Sequence, residues 1–295
     1  MNSRLKKRWQ TGLFRWGTGD RFAATRALAL GGFLGAMIPG AFAAAAPPLQ
    51  QAHAHNDYLH PRPLLDALDR GFCSVEADVF LVDGKLLVAH ERFRATPERT
   101  LQTLYLDPLA ARVRANGGRV HRDGPVFVLL IDLKSEAETT YAALHHVLGG
   151  YREILTRFQS NGVVATNAVM VIVSGNRPRE TMAAQTERFA ALDGRVEDLD
   201  SGLPVSFIPL ISDNWTKHFR WRGRGEMAAE DADKLRAVVT RAHAQGRRVR
   251  WWAAPDEPRA WSALQAAGVD LINTDDLEGL RLFLGSARAG GTVNQ

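Results

Sequence analysis

Charged side chains stand in pairs inside or at the end of two apolar segments. Glu76 and Asp78 lie two residues apart in the run Ser74 to Leu81, and Asp132 and Lys134 lie two apart at the end of Val126 to Leu133. Residues two apart on an extended chain point to the same face, so each pair shares a direction. Carboxylates gathered in a low-dielectric place repel, and a shared proton, a basic side chain or a divalent cation must neutralise them. A third acid favours the cation over the proton. Oxygen ligands from Glu76, Asp78 and Asp132, with the amide oxygen of Asn56, suit Ca²⁺ or Mg²⁺ better than zinc, which prefers nitrogen and sulfur.

Histidines flank these acids. The segment His53-Ala54-His55-Asn56-Asp57-Tyr58 follows directly on an apolar run, and alternation places His53 and His55 on one face, equivalent as far as spacing goes. Asp83-Gly84 makes a tight turn after which Lys85 to Ala89 returns as a short strand, and this hairpin carries His90 back toward the carboxylates. Two histidines beside a metal held by three acids meet the needs of phosphodiester cleavage: a base for the nucleophile, an acid for the leaving alkoxide, and positive charge on the phosphoryl oxygens. Lys134 adds to that charge. Arg177, in the loop Ser174-Gly175-Asn176-Arg177, offers a further cation to a phosphate or serves as an ordinary loop residue. Of Trp251 and Trp252, which alternate faces, only one can line a substrate wall; Trp252 is the candidate.

The elements that must position these groups alternate between short Val/Ile/Leu/Phe-rich runs and longer amphipathic stretches, the pattern of repeated βα units. Strands are expected at Gln50 to His55, Ser74 to Leu81, Val126 to Leu133, Val169 to Ser174, Ser206 to Ser212, Arg248 to Ala253 and Asp270 to Asn273, with a weak eighth around Arg188 to Asp200. Helices are expected at Pro63 to Arg70, Pro108 to Ala115, Ala137 to Phe158, Arg179 to Leu192, Ala229 to Ala244, Pro258 to Ala267 and Leu277 to Leu284. Eight such units in ~250 residues fit a single TIM-type (β/α)₈ barrel, whose functional groups come from strand C-terminal ends. An open doubly wound sheet is the rival, weakened by the lack of a Gly-x-Gly-x-x-Gly after the first strand.

The first 46 residues read differently. A basic stretch precedes the apolar run Ala27 to Ala43, which ends in a small-x-small pattern, the layout of a cleaved export signal or, if uncleaved, of a membrane anchor. Residues 1–46 hold seven of the 37 basic residues and one of the 32 acidic ones, leaving 30 against 31 in residues 47–295. The basicity of the chain therefore sits in the leader, which removes the reason for a nucleic-acid partner. The single cysteine, Cys73, cannot form an internal disulfide. The expectation is an exported, periplasmic or secreted barrel with no protein partner implied.

From His53 to His90 the chain resembles the phosphatidylinositol-specific phospholipase C and glycerophosphodiester phosphodiesterase superfamily, most closely its mitochondrial-inheritance protein 6 type. Ala54-His55-Asn56-Asp57-Tyr58 is similar to the Ser-His-Asn-Thr-Tyr motif of the eukaryotic phospholipases. The resemblance implies His55 and His90 as the catalytic pair, with His53 structural, and Asn56, Glu76, Asp78 and Asp132 as ligands of one divalent cation, with Lys134 beside them. Gly268-Val-Asp-Leu-Ile-Asn-Thr-Asp275 looks like the eighth strand of glycerophosphodiesterases. Two departures stand out: their His-Arg-Gly opening is absent, and Asp132 replaces the usual glutamate. The implied reaction is hydrolysis of a glycerol- or inositol-type phosphodiester, a small molecule or a lipid, the latter at a membrane surface. The alternatives are an amidohydrolase-type barrel, whose first strand also carries His-x-His, and a barrel that only binds a phosphorylated polyol or lipid headgroup. Asp275-Asp276 is expected to cap the last helix.

Overall fold

A computed structural model describes residues 46–290. The expected export segment lies outside these residues but for Ala46. Eight parallel strands form a ring: β1 (Leu49–Ala54), β2 (Phe72–Val82), β3 (Phe127–Leu133), β4 (Val169–Gly175), β5 (Ala190–Gly194), β6 (Leu210–Asn214), β7 (Arg248–Trp252) and β8 (Ile272–Thr274). Neighbours in the sheet follow chain order from β1 to β7, and β8 pairs with β1. Between β7 and β8 the ring is held by one bridge, Arg250 to Leu271, and by the Asp270 and Leu271 amides donating to the Val249 carbonyl. This is the expected TIM-type barrel, thin at that seam. Among the described residues no helix is long and apolar enough to cross a membrane.

Alternation along each strand decides what fills the barrel. On β3, Phe127, Leu129, Ile131 and Leu133 pack outward with the helices, whereas Val128 and Leu130 join Ile172, Leu210 and Leu271 in a separate buried cluster. The latter is the floor of the barrel, and the next inward residue of β3 is Asp132. Truncating Leu130 in such a floor would cost about 2–5 kcal/mol. The polar layer above thus rests on an apolar plug, and the C-terminal end of the barrel is where it opens.

Three expected elements shift. The helix expected to reach Phe158 ends at Gly149, where two glycines favour termination; Arg157–Gln159 instead joins Val164–Ala165 and Glu187–Arg188 in a small antiparallel sheet. The helix expected to reach Leu192 stops at Ala184, because Ala190–Gly194 is required as the fifth strand between β4 and β6. The sixth strand begins at Leu210, since Pro204 starts a turn that bonds the Phe207 amide and Pro209 has no amide proton to give.

Candidate active site

The registers of β2, β3 and β4 place Asp78 beside Asp132 and Asp132 beside Ser174. Glu76 lies one inward position below Asp78. Oxygens of Glu76, Asp78 and Asp132 come within 4.8 Å of one another. They line a cavity of about 340 Å³ together with His55, Asn56, His90, Lys134, Ser174, Gly175, Arg195, Arg250 and Trp252. Gly175 has φ +70, and a Cβ there would sit 1.9 Å from Asp132 Oδ1, so the end of β4 passes against the carboxylate only because it carries no side chain.

Each acid is compensated differently. Glu76 Oε2 accepts from the Arg250 guanidinium, and His53 Nε2 lies 3.4 Å from the same oxygen. Burial would raise the Glu76 carboxyl, but Arg250 and His53 hold it far below the usual range. Lys134 Nζ donates to Asp132 Oδ2 at 2.9 Å and stands 3.3 Å from Asp78 Oδ2. One ammonium does not suffice for both: burial pushes Asp78 up to about 6 and raises Asp132, against the pull of Lys134. Asp78 Oδ1 and Asp132 Oδ1 are buried and have no hydrogen-bond partner. Two orphaned carboxylate oxygens in an acidic cluster fit a hard cation, which Glu76, Asp78 and Asp132 could hold.

The two cavity histidines are oriented from outside it. His55 begins the loop after β1, its amide donating to the Thr274 carbonyl, and its Nδ1 lies 2.8 Å from Asp275 Oδ1. Asn56, in the left-handed region at φ 48, also donates to Asp275 Oδ1, at 3.3 Å. Burial disfavours charge on His55, but Asp275 and Glu76 outweigh it and raise its pKa. The Tyr58 hydroxyl is 2.6 Å from Asp78 Oδ2, 2.7 Å from Asn56 Oδ1 and 2.9 Å from His90 Nδ1. Its one proton serves an oxygen of Asp78 or Asn56, so the tautomer assigned to His90 has Nδ1–H donating to Tyr58. Both imidazoles are thereby held through Nδ1, leaving Nε2 for chemistry.

Of the expected residues, His55, His90, Asn56, Glu76, Asp78, Asp132, Lys134 and Trp252 gather in this cavity. Arg177 does not line it, because its guanidinium is taken up in donating to the Asp193 carbonyl at the end of β5. His53 is fully buried below the cavity, its Nδ1 2.6 Å from Ser74 Oγ, and burial with Arg250 pushes it down to about 3. It is therefore neutral and closed off, so no His-x-His pair opens into the mouth as an amidohydrolase-type site requires. Asp276 caps the last helix through the Gly279 amide, as expected, but Asp275 turns to His55. Tyr58, Asp275, Arg195 and Arg250 were not anticipated as site residues. The signal for Asp275 was its place directly after the last strand; for Arg250, an inward position on β7.

The family model of the AIM6-like phosphodiesterase domain matches residues 42–193, and that of the glycerophosphoryl diester phosphodiesterase family matches residues 248–278. The first stretch holds His55 to Gly175 of the cavity and the second holds Arg250, Trp252 and Asp275; Arg195 falls between. Altered inheritance of mitochondria protein 6 homolog from Arthroderma benhamiae is 28% identical over 254 residues, covering 76% of this chain and 81% of its own. The Lachancea thermotolerans altered inheritance of mitochondria protein 6 is 32% identical over 277 residues, covering 77% of this chain and 64% of its own. Among solved structures, a glycerophosphodiester phosphodiesterase from Parabacteroides distasonis matches 82% of this chain and 100% of its own at 14% identity, with a TM-score of 0.49.

Proposed function

This chain belongs to the AIM6-like phosphodiesterase domain family, and from that premise we propose that it is a metal-dependent phosphoric diester hydrolase using His55 and His90 as its acid–base pair. The observation that carries the reading is that two imidazoles, each held through Nδ1, line one cavity with three clustered carboxylates. A divalent cation, Ca²⁺ or Mg²⁺, would be held by Glu76, Asp78, Asp132 and the Asn56 amide oxygen, where it would supply positive charge to the phosphoryl oxygens and lower the nucleophile's pKa.

One imidazole takes the proton of the attacking hydroxyl or water, and the other gives a proton to the departing alkoxide. Asp275 keeps His55 in the tautomer that presents Nε2, and Tyr58 does the same for His90. Lys134 has three donors, so its ammonium can keep Asp132 and still reach a phosphoryl oxygen. Trp252 forms an apolar wall against which the substrate's glycerol or inositol part can lie.

A panel of glycerol- and inositol-type phosphodiesters, assayed with and without chelator, tests the reading. His55→Ala and His90→Ala should each abolish turnover while circular dichroism stays unchanged, and chelation should do the same reversibly. Full activity of either variant overturns the pair; chelator-insensitive hydrolysis removes the metal. Export, proposed from the first 46 residues, is checked by the mass of the mature N-terminus, which should begin after Ala43 to Ala46.

A further inference from the structure

The two most exposed large apolar side chains among the described residues stand on loops at the catalytic mouth: Phe93, 80% exposed, and Leu59, 62% exposed. Phe93 occupies the turn Arg92–Arg94, three residues after His90, and Leu59 follows Tyr58. The two loops are tied together, Arg99 Nη2 donating to the Tyr58 carbonyl at 2.6 Å. Between them lies a second cavity of about 550 Å³, bordered by Tyr58 to Pro61 on one side and by Val88 to Glu91, Arg94 and Arg99 on the other. His90 borders both this cavity and the catalytic one, so the two meet at a proposed acid–base group.

Arginines stand beside this apolar tip and across the mouth from it. Arg92 is exposed and has no ion-pair partner among the described residues, while Arg94 shares Glu91 at 3.4 Å. On the far side of the ring, where β6 stands opposite β2, the loop after β6 exposes Arg220, Arg222 and Arg224 at the same end of the barrel. On the two loops these arginines stand with fewer exposed acids, Glu91 and Glu98 on the first and Glu226 on the second, while residues 47–295 as a whole are close to neutral, 30 basic against 31 acidic. Exposed aromatic and aliphatic tips within a basic border complement an anionic lipid surface, where the apolar groups leave water and the arginines meet headgroup charge.

We propose that this border docks the catalytic mouth on an anionic bilayer, and that the phosphodiester cleaved is a membrane-resident lipid presented at the mouth beside His90. The identity of the substrate rests on the hydrolase reading above; the docking does not.

The test uses the full chain with Phe93→Cys carrying a polarity-sensitive fluorophore, Cys73 being buried. The control label is Val163→Cys, exposed beside the small antiparallel sheet and away from the mouth. Vesicles of phosphatidylcholine alone are compared with equal parts phosphatidylcholine and phosphatidylserine. The label at 93 should shift to the blue with anionic vesicles only, and the label at 163 should not. Arg92→Gln with Arg94→Gln should weaken that response about tenfold, whereas Phe93→Ser should leave turnover of a soluble phosphodiester unchanged. No shift at 93, or an equal shift at 163, overturns the docking. A shift at 93 in a chain that cleaves no diester keeps the docking and removes the hydrolase reading.

Discussion

Asp275 Oδ1 lies 2.8 Å from His55 Nδ1, so the residue directly after the last barrel strand orients the imidazole directly after the first. The contact spans the closure of the ring, where β8 and β1 pair through Ala54 and Thr274. It connects fold to chemistry: strand closure sets the distance, the distance fixes a tautomer, and the tautomer presents Nε2 to the cavity.

Asp275→Asn should therefore lower kcat/KM by roughly 10²-fold while leaving the fold intact, since the Asp275 side chain is 63% exposed. Asp275 raises the His55 pKa against the effect of burial. Without that charge, the limb of the pH–rate profile that reports His55 should move to lower pH. An unmoved limb would show that Asp275 only fills space.

Tyr58→Phe removes one hydroxyl from three partners, Asp78, Asn56 and His90. Two of these are proposed ligands, and loss of a supporting hydrogen bond behind a metal site typically weakens binding about 10–100-fold. Calorimetric titration with Ca²⁺ and Mg²⁺ should show that loss, with the ring's packing retained. Wild-type affinity in the variant would mean that Asp78 is held adequately by Lys134 alone.

Arg250→Met leaves Glu76 charged and buried beside a neutral His53. Breaking one side of a buried pair costs about 3–5 kcal/mol, which urea unfolding would register. Glu76→Gln added to Arg250→Met removes the orphaned charge and should return a large part of that loss. If the double variant is no more stable than Arg250→Met, Glu76 is not compensated by Arg250.

The acids were legible because their cause is local. On β3 the inward series Val128, Leu130, Asp132 can be read from alternation once the strand is recognised, and Glu76 and Asp78 follow the same rule on β2. Arg250 was not legible, although its strand was expected. Its partner Glu76 is 174 residues away, and only ring closure brings the two strands' interiors together. Arg195 escaped for a different reason: β5 is Ala-Ala-Leu-Asp-Gly, without a β-branched residue to mark it as a strand or to show where it ends. Nothing in the sequence marks Tyr58 as a site residue, because its reach to Asp78 depends on the turn Asp57–Leu59.

That same turn carries a pH-dependent term. Asp57 is fully buried, its Oδ2 accepting from the Leu64 amide at 2.5 Å and the Tyr105 hydroxyl at 2.8 Å, while Oδ1 has no partner. Burial pushes its carboxyl up to about 7, against the pull of the two hydrogen bonds. With the folded pKa above the unfolded one, the native state binds more protons between about pH 4 and 7, so stability falls as pH rises through that window. The contribution is fully present below the unfolded pKa and lost above the folded one. Asp57→Asn keeps the shape without the titration, so wild type should lose stability relative to the variant by up to about 1.4 kcal/mol per pH unit. Urea midpoints of the two proteins across the window measure this directly. A wild type that instead gains on Asp57→Asn with rising pH would place a charged, compensated carboxylate at that position.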